Sequence, residues 1–264
     1  MIKAAAKFLI PAVQSAKNAL LGLVYPRACY GCESNLEEDD NYLCSDCRKQ
    51  LHPIRRPLCE VCGQTYSGEL TPPFQCSNCS DRILQFDFAR AGYQSKGLAR
   101  VLVHRFKYNG HFFLSGLLGE MLAATLQDPR LADVGSGEDD DDEEDEWILV
   151  PVPLHPKRLR EREFNQADEL CRQLARSHGL KTVNALRRTR YTRRQAMLDR
   201  SERLKNLRGA FVISPRIRQR KEIHGRRVLL VDDVLTTGAT ASECAQVLSE
   251  AGALKVVVIT AVRG

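Results

Sequence analysis

The sequence predicts an α/β domain, a parallel sheet flanked by helices, preceded by a small cysteine-clamped module. Three observations carry this. Arg227–Val234, Ala239–Ala251 and Lys255–Val262 read as strand, helix and strand, and such a βαβ crossover requires parallel strands covered by helices. Eight of the 10 cysteines fall in four C-x-x-C pairs in the first third of the chain. A length of 264 residues exceeds one average domain and fits one of common size plus a smaller module. The composition, 43% hydrophobic and 27% charged, excludes collagen-like and wholly disordered chains.

The N-terminal residues 1–28 read as an amphipathic helix. Lys3, Lys7 and Lys17 interrupt its apolar runs, so none reaches the roughly 18 uncharged residues of a membrane span. No transmembrane segment is expected, and a weak membrane-surface contact is the most this helix offers. Lys7 inside the apolar stretch, with no small-residue cleavage site after it, argues against a secretory signal. A cytoplasmic location is therefore expected, where thiols stay reduced.

The four pairs are Cys29/Cys32, Cys44/Cys47, Cys59/Cys62 and Cys76/Cys79. Two cysteines three positions apart turn both sulfurs toward one point, and two such knuckles supply the four thiolates of a tetrahedral zinc site. Two structural zinc ions are expected, in a double zinc ribbon over 29–81. Gly63 suits the left-handed turn that a knuckle needs, and Gly31 lies inside the first pair. The gaps of 11, 11 and 13 residues are too alike to decide which knuckles share a metal; sequential pairing is expected. Eight thiolates and two zinc ions would lower the formal charge of +6 to about +2. Cys171 and Cys244 lie in helical patterns and read as small buried hydrophobes.

The α/β domain occupies 82–264. Phe86–Tyr93 alternates as a strand, and Gly97–Phe106 and Leu114–Leu126 read as helices around a turn at Tyr108-Asn109-Gly110. Residues 135–146 include nine consecutive acids, Glu138 to Glu146, and are expected to be a disordered surface insertion. Trp147–Val152 resumes a buried strand, Pro153–Arg158 a Pro-rich basic loop, and Asn165–His178 a helix stopped at Gly179. Arg187–Arg208 is basic and poorly periodic, as a mobile loop would be. Outside the acidic run the chain holds 39 basic against 24 acidic groups, a net of +15. The stretch Lys157–Arg227 alone, with 22 Lys/Arg and 7 Asp/Glu, also nets +15, a block suited to phosphate or simply to a solvated face.

The most informative segment is Val228–Thr240, Val-Leu-Leu-Val-Asp-Asp-Val-Leu-Thr-Thr-Gly-Ala-Thr. An apolar strand delivers Asp232 and Asp233 to the crevice where open α/β sheets bind ligands. Thr236, Thr237, Gly238, Ala239 and Thr240 then offer hydroxyls and backbone N–H groups at a helix start, a cradle for phosphate. The carboxylates suit ribose hydroxyls while the turn holds a 5′-phosphate. Read structurally, the same residues would be only a cap and a turn.

This segment resembles the phosphate-ribose loop of the type I phosphoribosyltransferases. The chain as a whole is similar to the ComF family of competence-associated proteins, which join a double zinc ribbon to a type I phosphoribosyltransferase domain. The likeness rests on the C-x-x-C pairs, Phe106-Lys-Tyr-Asn-Gly110, Val150-Pro-Val-Pro-Leu-His-Pro-Lys-Arg158, Arg162-Glu-Phe-Asn-Gln-Ala167, the stretch from Thr192 to Phe211, and the terminal motif. Glu163 stands where the family pattern usually has glycine, and the acidic run reads as an insertion.

The resemblance implies binding of phosphoribosyl pyrophosphate with magnesium bridging pyrophosphate and ribose. It places pyrophosphate in the loop Leu154–Arg158, with Lys157 and Arg158 supplying charge, and makes the 187–208 region a closing lid. Transfer would be displacement at the anomeric carbon, driven by stabilising the leaving pyrophosphate. No residue is assigned as catalytic; His155 reads as structural. No pattern selects an acceptor, and Ile2 in place of an N-terminal cysteine does not support a built-in glutaminase. Family membership also suggests a role in DNA uptake. The alternative is a non-catalytic adaptor that binds single-stranded DNA and the uptake machinery through its ribbons and basic face, although only Tyr30, Tyr42, Tyr66 and Phe74 there can stack on bases.

Overall fold

The computed structural model describes residues 27–66, 68, 73–108, 110–135, 146–191 and 209–264. The expected N-terminal helix, most of the acidic run and the greater part of the expected lid lie outside the described residues. The chain divides into two compact units, Met1–Gln50 and Leu51–Gly264.

In the first unit the described residues form two knuckles and helix α1, Ser45–Lys49. In the second, a matching pair of knuckles contains α2, Ser77–Ser80, and the α/β layers follow. In chain order these are β1 (Phe88–Gln94), α3 (Gly97–Tyr108), α4 (Ser115–Ala123), β2 (Trp147–Pro151), α5 (Pro156–Arg162), α6 (Gln166–His178), β3 (Lys181–Thr182), β4 (Leu186–Arg188), β5 (Phe211–Ile213), α7 (Pro215–Arg220), β6 (Arg227–Leu235), α8 (Ala239–Glu250) and β7 (Lys255–Arg263).

Five strands form one parallel sheet in the order β1-β7-β6-β2-β3. The α/β class read from the C-terminal βαβ unit is thus the observed one. The central strands β6 and β7 are apolar without alternation because helices cover both sheet faces. Val228 and Leu230 of β6 join a core with Ala245 and Leu248 of α8, while their neighbours Leu229 and Val231 point to the opposite face. Each such side chain, buried, contributes about 1.5–3 kcal/mol. On the other face α4, apolar on most sides, packs between α6 and strands β1 and β7.

Local chemistry sets the helix ends near the sheet edge. The Asn165 side chain accepts from the Ala167 N–H at 3.3 Å and starts α6; Gly179, left-handed at φ +68°, stops it. Two expected loops are partly regular. Pro156–Arg162 is helical, because Pro156 fits a first turn and the His155 ring nitrogen Nδ1 accepts from the Lys157 N–H at 3.2 Å. Leu186–Arg188, at the start of the expected mobile loop, pairs antiparallel with β5. The expected helix over Leu114–Leu126 is α-helical only from Ser115 to Ala123, with a 3-10 turn on either side. Among the described residues no helix is long and apolar enough to cross a membrane.

Glu163 ends α5 in the left-handed region, at φ +68°. A Cβ there crowds the backbone, which explains why glycine suits this position. Glu163→Gly is expected to stabilise the protein by about 1 kcal/mol, a rise of roughly 2–4 °C in melting temperature by calorimetry.

Candidate functional site

The structure confirms sequential pairing of the knuckles. The sulfurs of Cys29, Cys32, Cys44 and Cys47 lie within 4.8 Å of one another, and so do those of Cys59, Cys62, Cys76 and Cys79. A tetrahedral zinc with bonds of about 2.3 Å separates its sulfurs by about 3.8 Å. The observed Cys32–Cys44 and Cys62–Cys76 separations of 3.7 and 3.6 Å fit that ion.

The two clusters repeat one construction. Cys29 and Cys59 each donate a backbone N–H to the carbonyl five residues on, Ser34 and Gln64, and accept on Sγ from the N–H of Cys44 and Cys76, at 3.3 and 3.4 Å. Four residues after the first cysteine the chain turns left-handed, at Glu33 in one and Gly63 in the other. The left-handed residue of the first ribbon is therefore Glu33 and not Gly31. Burial raises the Cys59 thiol, but N–H bonds from Cys62, Cys76 and Val61 outweigh it and bring the pKa down to about 7.

The crevice lies at the C-terminal ends of β2 and β6, as doubly wound sheets dictate. It is a cavity of 480 Å³ walled by Arg158, Asp232, Asp233, Thr236, Gly238, Ala239 and Thr240 among others. Of the residues expected there, Lys157 and Thr237 stand off its wall. The Lys157 ammonium lies 4.7 Å from the centre of the Tyr191 ring, and the Thr237 Oγ1 accepts from the Ala239 N–H at 3.4 Å. Gly238 precedes α8 at φ +76°, with its carbonyl accepting from the Ser242 N–H at 2.8 Å. The left-handed backbone, more than lack of room, requires glycine here, since a Cβ would meet the Phe86 ring at an ordinary 3.5 Å.

The acid pair is electrostatically strained. Asp232 accepts from the Asp233 N–H at 2.9 Å, and Lys107 pairs with Asp233 at 3.0 Å. Burial, then the adjacent Asp233 charge, pushes Asp232 up to about 7, and Lys107 only partly opposes this. Besides Lys107 of α3, cations from two further elements face the acids. Arg162 of α5 bonds Gln166 Oε1 at 2.9 Å, Arg158 lies on the same helix, and Arg188 of β4 is pushed down to about 10 by burial and then by Arg158. Lys107, Arg162 and Arg188 were not singled out from the sequence. Lys107 and Arg162 do sit in the quoted motifs at 106–110 and 162–167; Arg188 carries no local signal. The His155 ring, besides capping α5, is held below its usual pKa by slight burial and by Arg188, Arg160, Arg158 and Lys157, consistent with a structural role.

A double zinc ribbon domain matches residues 20–81. Competence protein F of Haemophilus influenzae is 31% identical over 229 residues, covering 85% of this chain and 91% of that protein. The chain belongs to the ComF family. The similarity extends to DNA utilization protein YhgH of Escherichia coli K12, 29% identical over 235 residues (89% of this chain, 96% of that one). It extends also to competence protein ComFC of Streptococcus pneumoniae, 28% identical over 230 residues (86% and 90%). Among solved structures, an allosteric regulatory enzyme of purine biosynthesis aligns at TM-score 0.36 and 20% identity over 60% of this chain. The glutamine phosphoribosylpyrophosphate amidotransferase of B. subtilis aligns at 0.35 and 20% over 59%; this ComF chain spans 30% of each of those longer chains.

Two zinc ions per chain are expected by elemental analysis of protein purified without chelator, and one in either Cys44→Ser or Cys62→Ser. A wild-type content below one contradicts the assignment.

Proposed function

We propose that the crevice binds phosphoribosyl pyrophosphate together with magnesium. The observation that carries this reading is the juxtaposition, in one cavity, of the Asp232–Asp233 pair, the Thr236–Thr240 turn and the cations Arg158, Arg162 and Arg188. The acids accept from ribose hydroxyls and face the metal, the turn holds the 5′-phosphate at the start of α8, and the arginines meet the pyrophosphate. Lys157, on the first turn of α5, adds to the field without lining the cavity. Asp232 and Asp233 would hold magnesium, whose charge would relieve the repulsion between the two carboxylates that Lys107 and Arg162 only partly offset. If transfer occurs, the arginines stabilise the departing pyrophosphate and the reaction is pentosyl transfer at the anomeric carbon. The relatives are named for competence and DNA utilisation, which supports our inference that this protein acts in DNA uptake.

Asp232→Ala with Asp233→Ala removes two charged hydrogen-bond acceptors worth roughly 1.5–3 kcal/mol each. Calorimetric affinity for magnesium phosphoribosyl pyrophosphate is expected to fall at least about a hundredfold. Equal binding by wild type and double variant rejects the assignment of this crevice.

A second reading, binding of single-stranded DNA, is favoured by an adjoining surface that shares Tyr108 with the cavity wall. Between Asp87 and Glu120 the chain carries five Lys/Arg and no acid. Val101, His104 and Tyr108 line the exposed side of α3, His104 and Tyr108 with ring centres 4.8 Å apart, and Phe112 beyond them is 65% exposed. Exposed aromatic rings on a helix that also carries Arg100 and Arg105 suit bases and phosphates together. Phe112→Ala, outside the crevice lining, is expected to weaken oligonucleotide binding about tenfold in fluorescence anisotropy while leaving its steep salt dependence intact. Unchanged affinity, or salt-independent binding, rejects this reading.

A further inference from the structure

The second cysteine cluster and the phosphate turn meet at one buried side chain. Arg263, the last residue of β7, is 8% exposed. Its Nε donates to the Cys62 carbonyl at 3.2 Å and its Nη2 to the Cys62 Sγ at 3.5 Å. Its Nη1 donates to the Leu235 carbonyl at 3.0 Å, to the Thr236 carbonyl and to the Gly264 oxygen at 2.5 Å. One guanidinium thus joins a cysteine ligand to the backbone that opens the turn. Arg82 makes a second bridge: Nε donates to the Asn78 carbonyl of α2 at 2.8 Å, and Nη2 to the Thr237 carbonyl. Phe86 and Leu84, just after the knuckle, lie against Gly238.

Charge gives these bonds a direction. A buried guanidinium is costly without a counter-charge. The ion pairs among the described residues do not include Arg263. Four thiolates around one zinc ion carry a net charge of about −2. A metal-loaded Cys59–Cys79 centre would therefore be a negative group in direct contact with Arg263, through the Cys62 Sγ.

We propose that metal binding at Cys59, Cys62, Cys76 and Cys79 sets the conformation of the turn at 235–238, with Arg263 and Arg82 as its positioning residues. The consequence for ligand affinity rests on the reading of the crevice given above; the link between metal and turn does not. By linkage, a ligand that orders the turn also tightens the metal.

Hydrogen exchange of segment 235–241 in the full chain, without ligand, reads the link directly. Removing zinc from wild type with a chelator is expected to speed exchange there at least about tenfold, reversed when zinc is restored. Arg263→Gln, retaining two zinc ions, is expected to do the same, and Arg82→Gln, which breaks the bridge between Asn78 and Thr237, to do so to a smaller extent. Wild-type exchange rates in the zinc-free protein, or in both arginine variants, overturn the proposal. Should Arg263→Gln not fold, the zinc-free protein and Arg82→Gln decide it. Magnesium phosphoribosyl pyrophosphate is expected to slow release of one zinc ion to a colorimetric chelator in wild type but not in Arg263→Gln. If no ligand binding is detected while exchange responds to zinc, the crevice reading fails and the link stands. If ligand binds without slowing zinc release, the link fails and the crevice reading stands.

Discussion

Two neighbouring carboxylates at the end of a buried strand are the constraint around which the larger unit is arranged. β6 carries four apolar residues into the sheet centre and then presents Asp232 and Asp233 at its C-terminal end. Side chains of consecutive strand residues point to opposite faces, so a straight strand would separate them. Here Asp232 is fastened to the Asp233 backbone and Asp233 to Lys107 of α3, which keeps both on the wall of one cavity. On the proposed reading, the unfavourable charge at this place would meet ribose hydroxyls and a magnesium ion, and perturbed carboxylates of this kind commonly mark functional sites. The raised Asp232 pKa means that the acid costs stability as pH rises from the ordinary aspartate range toward 7. The cost is absent below that range, where the group is protonated in both the folded and unfolded states.

The two ribbons share one local construction but have different surroundings. In the larger unit, the second cluster is built into the sheet's edge. The Ala89 N–H of β1 donates to the Val61 carbonyl at 2.6 Å, and Arg90 bonds Glu60 at 3.1 Å and Asp128 at 2.6 Å. Val61 and Leu84 add their side chains to the core that also holds Val228 and Leu230. A knuckle of this size has little apolar surface of its own, so metal and sheet together hold it.

What was legible in the sequence was what local pattern encodes. The continuous apolar runs of β2, β6 and β7, the Asn165 cap and Gly179 stop of α6, the C-x-x-C spacing and the acid pair before a hydroxyl turn each state their role within a few residues. What was not legible depends on distant segments meeting. Lys107 reaches Asp233 across 126 positions, Arg82 reaches Thr237 across 155, and Arg263 reaches Cys62 across 201. No spacing rule links such residues, and a lone arginine near a chain's polar surface reads as solvated. The helix at Pro156–Arg162 was hidden for another reason: its proline and charges suggest a loop unless His155 is seen as a cap. The Lys157 side chain shows the same limit, because motif membership places a residue on the right element without saying which way it points.

The acid pair is the centre of this account, and proton release on ligand binding tests it most directly. With Asp232 held at about 7, much of it is protonated at pH 6.5, and a ligand that brings magnesium to the pair must expel that proton. Titration calorimetry with magnesium phosphoribosyl pyrophosphate, in buffers of differing ionisation heat and corrected for the ligand's own phosphate ionisation, is predicted to show net release of a substantial fraction of one proton at pH 6.5 and almost none at pH 9. Binding with no corrected proton release at pH 6.5, or no binding at either pH, would contradict it.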